Sequence, residues 1–129
     1  MAQLEKEPRN HSAAARFEER SYPMVWLNLP VEYYPVKSDG RRTGYTERAG
    51  EGGLTVYLRN PFQVGDLLKL RLFFSSGPAV NAVETLSQVV WTEKLKDAEY
   101  RCGMKFVDIS AEDMNKLSSF LKKLSPSLH

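Results

Sequence analysis

Arginine is the residue type best placed to do chemistry in this chain. Arg20, Arg41, Arg42 and Arg48 form a basic neighbourhood that could hold an anion, because each guanidinium presents a rigid, planar set of donors. Solvated surface arginines would give the same pattern, so the cluster alone decides nothing. What singles out Arg20 is its position. The stretch from Arg20 to Tyr33, RSYPMVWLNLPVEY, sets an arginine-bearing polar segment directly against an alternating strand. In that strand Val25, Leu27, Leu29 and Val31 share one face, and Trp26, Asn28 and Glu32 the other. The approach to this strand is where a ligand would be read.

Catalytic groups are poorly placed. His11 and His129 fall in expected terminal tails, unsuited to a general base or a metal ligand. The run Gly50-Glu51-Gly52-Gly53 superficially suggests a phosphate cradle, but a strand pattern follows it, and such loops need a helix N-terminus. Glu18-Glu19 and Glu112-Asp113 are adjacent carboxylates that point in different directions, as solvated pairs do. No enzymatic activity is expected. The single cysteine, Cys102, can form neither an internal disulfide nor a cysteine cluster for zinc, and between Tyr100 and Phe106 it is expected to pack as a small apolar residue.

The elements that must position these residues read as mainly β. A chain of 129 residues supports one domain with a modest core, and 26% charged with 42% hydrophobic residues is typical of folded globular chains. The net charge of +2 is low for a dedicated nucleic-acid binder. No apolar run approaches the roughly 18 to 20 residues that span a bilayer, and the N-terminus lacks a signal-peptide core, so a cytoplasmic protein without membrane insertion is expected. Residues Met1 to Ala15 read as a mobile leader, and 16–129 as a single domain.

Strands are predicted at about Met24 to Tyr34, Thr43 to Glu47, Leu54 to Arg59, Leu67 to Phe74, Val80 to Thr92 and Tyr100 to Val107. Six such segments joined by turns predict a six-stranded antiparallel barrel. Leu68, Leu70, Leu72 and Phe74 are the expected core face of the fourth, and the long fifth strand should bend near Glu84 to Ser87. Ser110 is placed to cap a C-terminal helix, with Lys122 and Lys123 at its far end. Met114, Leu117, Leu121 and Leu124, with Phe120 beside them, make a stripe expected to close a barrel opening.

Several stretches together resemble a PilZ domain: LNLPVEY at 27–33, GEGGL at 50–54, VGDLLKLRL at 64–72, VVW at 89–91 and CGMKFVDIS with a helix after it. The resemblance runs over roughly residues 16–124. It implies a cyclic di-GMP receptor fold whose contacts come from an RxxxR segment before the first strand and a [DN]xSxxG turn. Arg16 and Arg20 have the RxxxR spacing. Anchored on Val25, however, the motif places Arg20 first and Met24 second, where a thioether replaces a guanidinium and cannot donate a hydrogen bond. Anchored on Gly53-Leu54, the second motif puts Arg48 in the acidic position and Gly50 in the serine position. Sliding that frame back by one brings Glu47 to the acidic position, but would shift the inward set of the next strand.

The departures imply weakened binding. If each lost bidentate contact removes on the order of 1–3 kcal/mol, two losses weaken a ligand by roughly 30-fold to 10⁴-fold. The expected function is therefore a non-enzymatic regulatory module of the cyclic di-GMP family, without a cofactor, acting through an unidentified protein partner. Its ligand-site residues by family position are Arg16, Arg20, Met24, Arg48, Gly50 and Gly53. One alternative keeps cyclic di-GMP as ligand, gripped by Arg16 and Arg20 as a clasp. Another stacks single-stranded nucleic acid on Trp26, Tyr33, Tyr34, Tyr57 or Trp91, against which the low charge argues; core packing is the expectation for Trp91.

Overall fold

The structure, a computed structural model, describes residues 24–37 and 40–124. The expectations for residues 1–15, for Arg16 and Arg20, and for His11 and His129 lie outside the described residues.

Among the described residues seven strands precede one helix: β1 (Val25–Trp26), β2 (Pro30–Pro35), β3 (Arg42–Ala49), β4 (Gly53–Leu58), β5 (Leu67–Ser76), β6 (Ala79–Lys94), β7 (Tyr100–Ile109) and α1 (Ala111–Leu124). Neighbours pair antiparallel in the order β3-β2-β5-β6-β7-β4, and the β3–β4 pairing closes the ring into the expected six-stranded barrel. Closure removes the edges that an open sheet of this size would expose.

One predicted strand is two. The expected Met24 to Tyr34 strand breaks between Trp26 and Pro30, and β1 and β2 lie end to end against the same side of β3. Pro30 has no N–H to give to a ladder. The buried Thr46 hydroxyl repairs the gap, accepting from Leu29 N at 2.8 Å and donating to Leu27 O at 2.7 Å.

The interior is filled as alternation dictates. Val31 and Tyr33 from β2, Leu54, Val56 and Leu58 from β4, Leu68, Leu70, Leu72 and Phe74 from β5, and Cys102 and Met104 from β7 are buried in one cluster. Tyr33 keeps its hydroxyl satisfied within that core, donating to Asn60 Oδ1 at 2.7 Å and accepting from Arg59 N at 3.2 Å. Helix α1 closes one barrel end through Leu117 and Leu121, with Phe120 stacked on Phe74 at 4.3 Å between centroids. Its start is capped as expected, Asp113 N donating to Ser110 Oγ at 3.0 Å.

Three irregularities interrupt the ladders. Strand β6 slips register against β7 between Leu86 and Ser87, as its length suggested, and again between Val89 and Trp91. Strand β3 slips against β4 between Thr46 and Arg48, leaving Glu47 as an extra residue. Each slip changes which side chains reach the outer face of the barrel.

Candidate functional site

The outer face of β1, β3, β4, β7 and β6 forms a continuous wall, and the strand registers define its rows. Trp26 pairs with Arg48, Arg48 with Thr55, Thr55 with Gly103 and Gly103 with Trp91. In the adjacent row Tyr45 pairs with Tyr57, Tyr57 with Arg101 and Arg101 with Glu93. Because Cys102 and Met104 point inward, Gly103 and Arg101 face out, and everything paired to them on that face does too.

Two guanidinium–indole stacks stand on this wall. The Arg48 guanidinium carbon lies 5.0 Å from the Trp26 ring centroid, and that of Arg101 lies 5.5 Å from Trp91. Their settings differ. Trp26 is 69% exposed, while Trp91 is only 3% exposed. The second slip in β6 explains this, because it turns Trp91 out of the core cluster onto the outer face, where it lies across the bare backbone of Gly103 beneath Arg101. Core packing was expected for Trp91; it is buried, but against the outside of the barrel.

The bulge in β3 delivers Glu47 to the same wall. Its Oε2 accepts the Tyr57 hydroxyl at 2.9 Å and Arg101 Nη1 at 3.2 Å, and Arg101 Nη2 reaches Glu93 Oε1 at 2.8 Å. A one-residue shift at the motif was expected to turn the next strand's inward set outward. No such shift occurs: Leu54, Val56 and Leu58 stay inside, and the bulge sets Glu47 and Arg48 together on the wall. Burial pushes the Tyr57 hydroxyl above its usual range, and the bond to Glu47 adds to the shift. Arg101 is pulled both ways: burial acts to lower it, and Glu47 and Glu93 together raise it overall.

Of the residues expected at the site, four fall within the described chain. Met24 is half-buried, one residue before the Val25–Ala49 pair, and alternation sets it on the same side as Trp26. Arg48 occupies the wall beside it. Gly50 is buried, and its N–H donates to Gly53 O at 2.9 Å, closing the turn between β3 and β4. Gly53 is a glycine for reasons of fold, since a β-carbon there would collide with the backbone carbonyl of Met104 on β7. Glu51, at the turn's exposed tip, accepts a hydrogen bond from Ser118 of α1.

Arg101, Glu93 and the outward placement of Glu47 were not anticipated. Arg101 meets Glu47 across 54 positions of sequence, a contact that only the closed barrel creates. Of the aromatics considered for base stacking, Tyr33 belongs to the core and Trp91 is covered, leaving Trp26, Tyr34 and Tyr57. Among the described residues no group of His, Cys, Asp or Glu could hold a metal ion, and no helix is long and apolar enough to cross a membrane. A shallow groove of about 460 Å³ opens where β1 and β2 part, lined by Trp26, Leu27, Asn28, Thr46, Glu47 and Tyr57.

Comparison with known proteins gives a consistent picture. A sequence model described as the PilZ domain matches residues 14–123. Among solved structures, the Bacillus subtilis inhibitor of motility MotI/DgrA superposes with a TM-score of 0.72 at 20% identity, over 84% of this chain and 52% of that one. The PilZ domain of YcgR from Escherichia coli, solved with c-di-GMP, gives 0.61 at 13% identity, over 83% of this chain and 92% of that one. The K. pneumonia MrkH–c-di-GMP complex gives 0.56 at 14% identity, over 80% and 50%. The chain thus spans about half the length of MotI and of MrkH, and likeness at such identities concerns the fold. No curated protein matches the sequence.

Proposed function

The chain belongs to the PilZ domain family, a family of cyclic di-GMP signalling modules, and from that membership we propose a non-enzymatic regulatory module with weakened dinucleotide binding that acts by contacting another protein. The observation that carries this reading is Arg48. It stands in the position that the family's turn gives to an acidic or amide acceptor, and its guanidinium is stacked on Trp26. Guanine's Watson–Crick edge offers N–H donors, so a guanidinium there opposes donor to donor. Met24 beside it supports the reading, because a thioether replaces the cationic fork expected before the first strand.

Arg101 adds no unused cation in compensation, since two carboxylates share it. What the wall offers a partner is aromatic surface: Trp26, 69% exposed, lines the groove, and Tyr45, 55% exposed, pairs with the groove residue Tyr57. Exposed aromatics of this kind suit protein contact, where Trp and Tyr dominate binding energy. Calorimetric titration of the purified protein with cyclic di-GMP tests the proposal. No heat of binding at micromolar ligand is expected, and micromolar affinity would overturn it.

A further inference from the structure

Arg101 and Glu47 use each other incompletely. The guanidinium has five donors; Nη1 hydrogen-bonds Glu47, Nη2 lies 2.8 Å from Glu93 Oε1 as an ion pair, and Nε, like Glu93 Oε1, is buried with no hydrogen-bond partner. The Glu47 carboxylate is equally one-sided. Oε2 takes both the Tyr57 hydroxyl and Arg101, while Oε1 is buried with no partner. At 3.2 Å the bond from Arg101 is longer than the roughly 2.7–2.9 Å of a good charge-assisted pair. Buried polar atoms left unmatched on both sides mark a contact that another anion could improve.

We infer that Arg101 and the Tyr57 hydroxyl form an anion cradle whose resident anion is the Glu47 carboxylate, and that a phosphate group binds there once this carboxylate is removed or neutralised. The inference rests on the proposed function, in which the family's own dinucleotide contacts are weakened. Two donors, at 2.9 and 3.2 Å, already converge on one oxygen position. A phosphate brings several acceptor oxygens to that position, enough to meet more than one donor of the same guanidinium. Arg48, next in the chain to Glu47 and held over Trp26, supplies a second positive charge, and the groove between Trp26 and Tyr57 is the way in.

The bulge is what makes the arrangement work. In a regular strand Glu47 and Arg48 would face opposite sides of the sheet, and the carboxylate could not share a wall with Arg48, Tyr57 and Arg101 together. The extra residue in β3 sets the internal anion on the wall, next to the position where the family's turn places its acceptor.

The test uses the full chain and inorganic pyrophosphate, titrated by calorimetry at low and high salt. Glu47→Gln and Glu47→Ala should each bind pyrophosphate at least about tenfold more tightly than the unaltered protein, since a like charge leaves the cradle. The gain should shrink in high salt and vanish when Arg101→Met is added. Glu47→Gln keeps the side chain's volume and an oxygen for Tyr57, so it reports even if the alanine variant folds poorly. Unchanged affinity in folded Glu47→Gln, or a gain that survives Arg101→Met, overturns the cradle. Titration of the unaltered protein with cyclic di-GMP answers the separate question of the proposed function, so the two ideas fail by different experiments.

Discussion

The Trp91 indole occupies the space directly over Gly103 where any other residue would carry its β-carbon. This one relationship couples two strands and fixes the level at which Arg101 stacks above the ring. Gly103→Ala must therefore push the indole outward. We expect a stability loss of about 1–3 kcal/mol from overpacking and, in a Trp26→Phe background that isolates Trp91, a red-shifted emission. An unshifted spectrum with an unchanged melting temperature would contradict this packing.

The turn between β6 and β7 carries removable strain. Asp97 and Ala98 both adopt φ near +60°, and Glu99 N donates to Lys96 O at 3.3 Å across them. Two central residues with positive φ suit a tight hairpin that favours Asp-Gly, and here the second is alanine. Ala98→Gly should stabilise the protein by about 1 kcal/mol, the left-handed penalty less the glycine entropy cost. A urea midpoint that falls, with the slope unchanged, would show that the turn is not strained in this way.

Removing the shared cation should expose how far the wall depends on it. Arg101→Met leaves the partly buried Glu47 carboxylate without its cationic partner and should cost about 1–3 kcal/mol. Adding Glu47→Gln should recover part of that loss, because the uncompensated charge disappears. A double variant whose loss is the simple sum of the two single losses would argue that the pair is not coupled.

Alkaline pH should destabilise the barrel through its interior. Burial pushes the Cys102 thiol and the Tyr33 hydroxyl above their usual ranges. Both groups thus hold protons more tightly folded than unfolded, so their contribution is complete below the unfolded thiol range, about pH 8.5. It is lost as pH rises through the folded values. Urea midpoints should be level from neutrality to about pH 8 and then fall, less steeply in Cys102→Val. A midpoint that climbs above pH 9 would reverse the sign of the linkage.

The barrel was legible because alternation is a local property. Leu68, Leu70, Leu72 and Phe74 declared their inward face from spacing alone, and each is buried. The helix was legible for the same reason, from its cap at Ser110 and its leucine stripe. The wall was not. Trp91 sits in the apolar run VVW, and nothing in that run reveals the slip after Val89 that turns the indole outward. Glu47 depends on a bulge whose cost and benefit are set by β4, not by its own neighbours in sequence. Pro30 did carry a visible signal, a missing donor in mid-strand, and that is where the predicted first strand breaks. Arg101 escaped notice because its partners come from β3 and β6 and only the closed sheet assembles them.

The exposed half of the wall should matter to partners and not to folding. Trp26→Ala removes an indole that is 69% exposed and packed mainly against Arg48, so stability should change by less than about 1 kcal/mol. Binding to a partner that uses this face should weaken by about 2 kcal/mol or more, as for an interface hot spot. A partner whose affinity is indifferent to both Trp26→Ala and Tyr45→Ala docks elsewhere on the barrel.

We propose that Arg48 and Met24 leave the family's ligand without a matching acceptor and a second cationic fork. Calorimetry of the full chain against cyclic di-GMP, paired with Arg48→Asp and Met24→Arg introduced together, addresses it most directly. No binding at micromolar ligand is expected of the unaltered protein, and measurable binding of the double variant. Micromolar binding by the unaltered protein would contradict it.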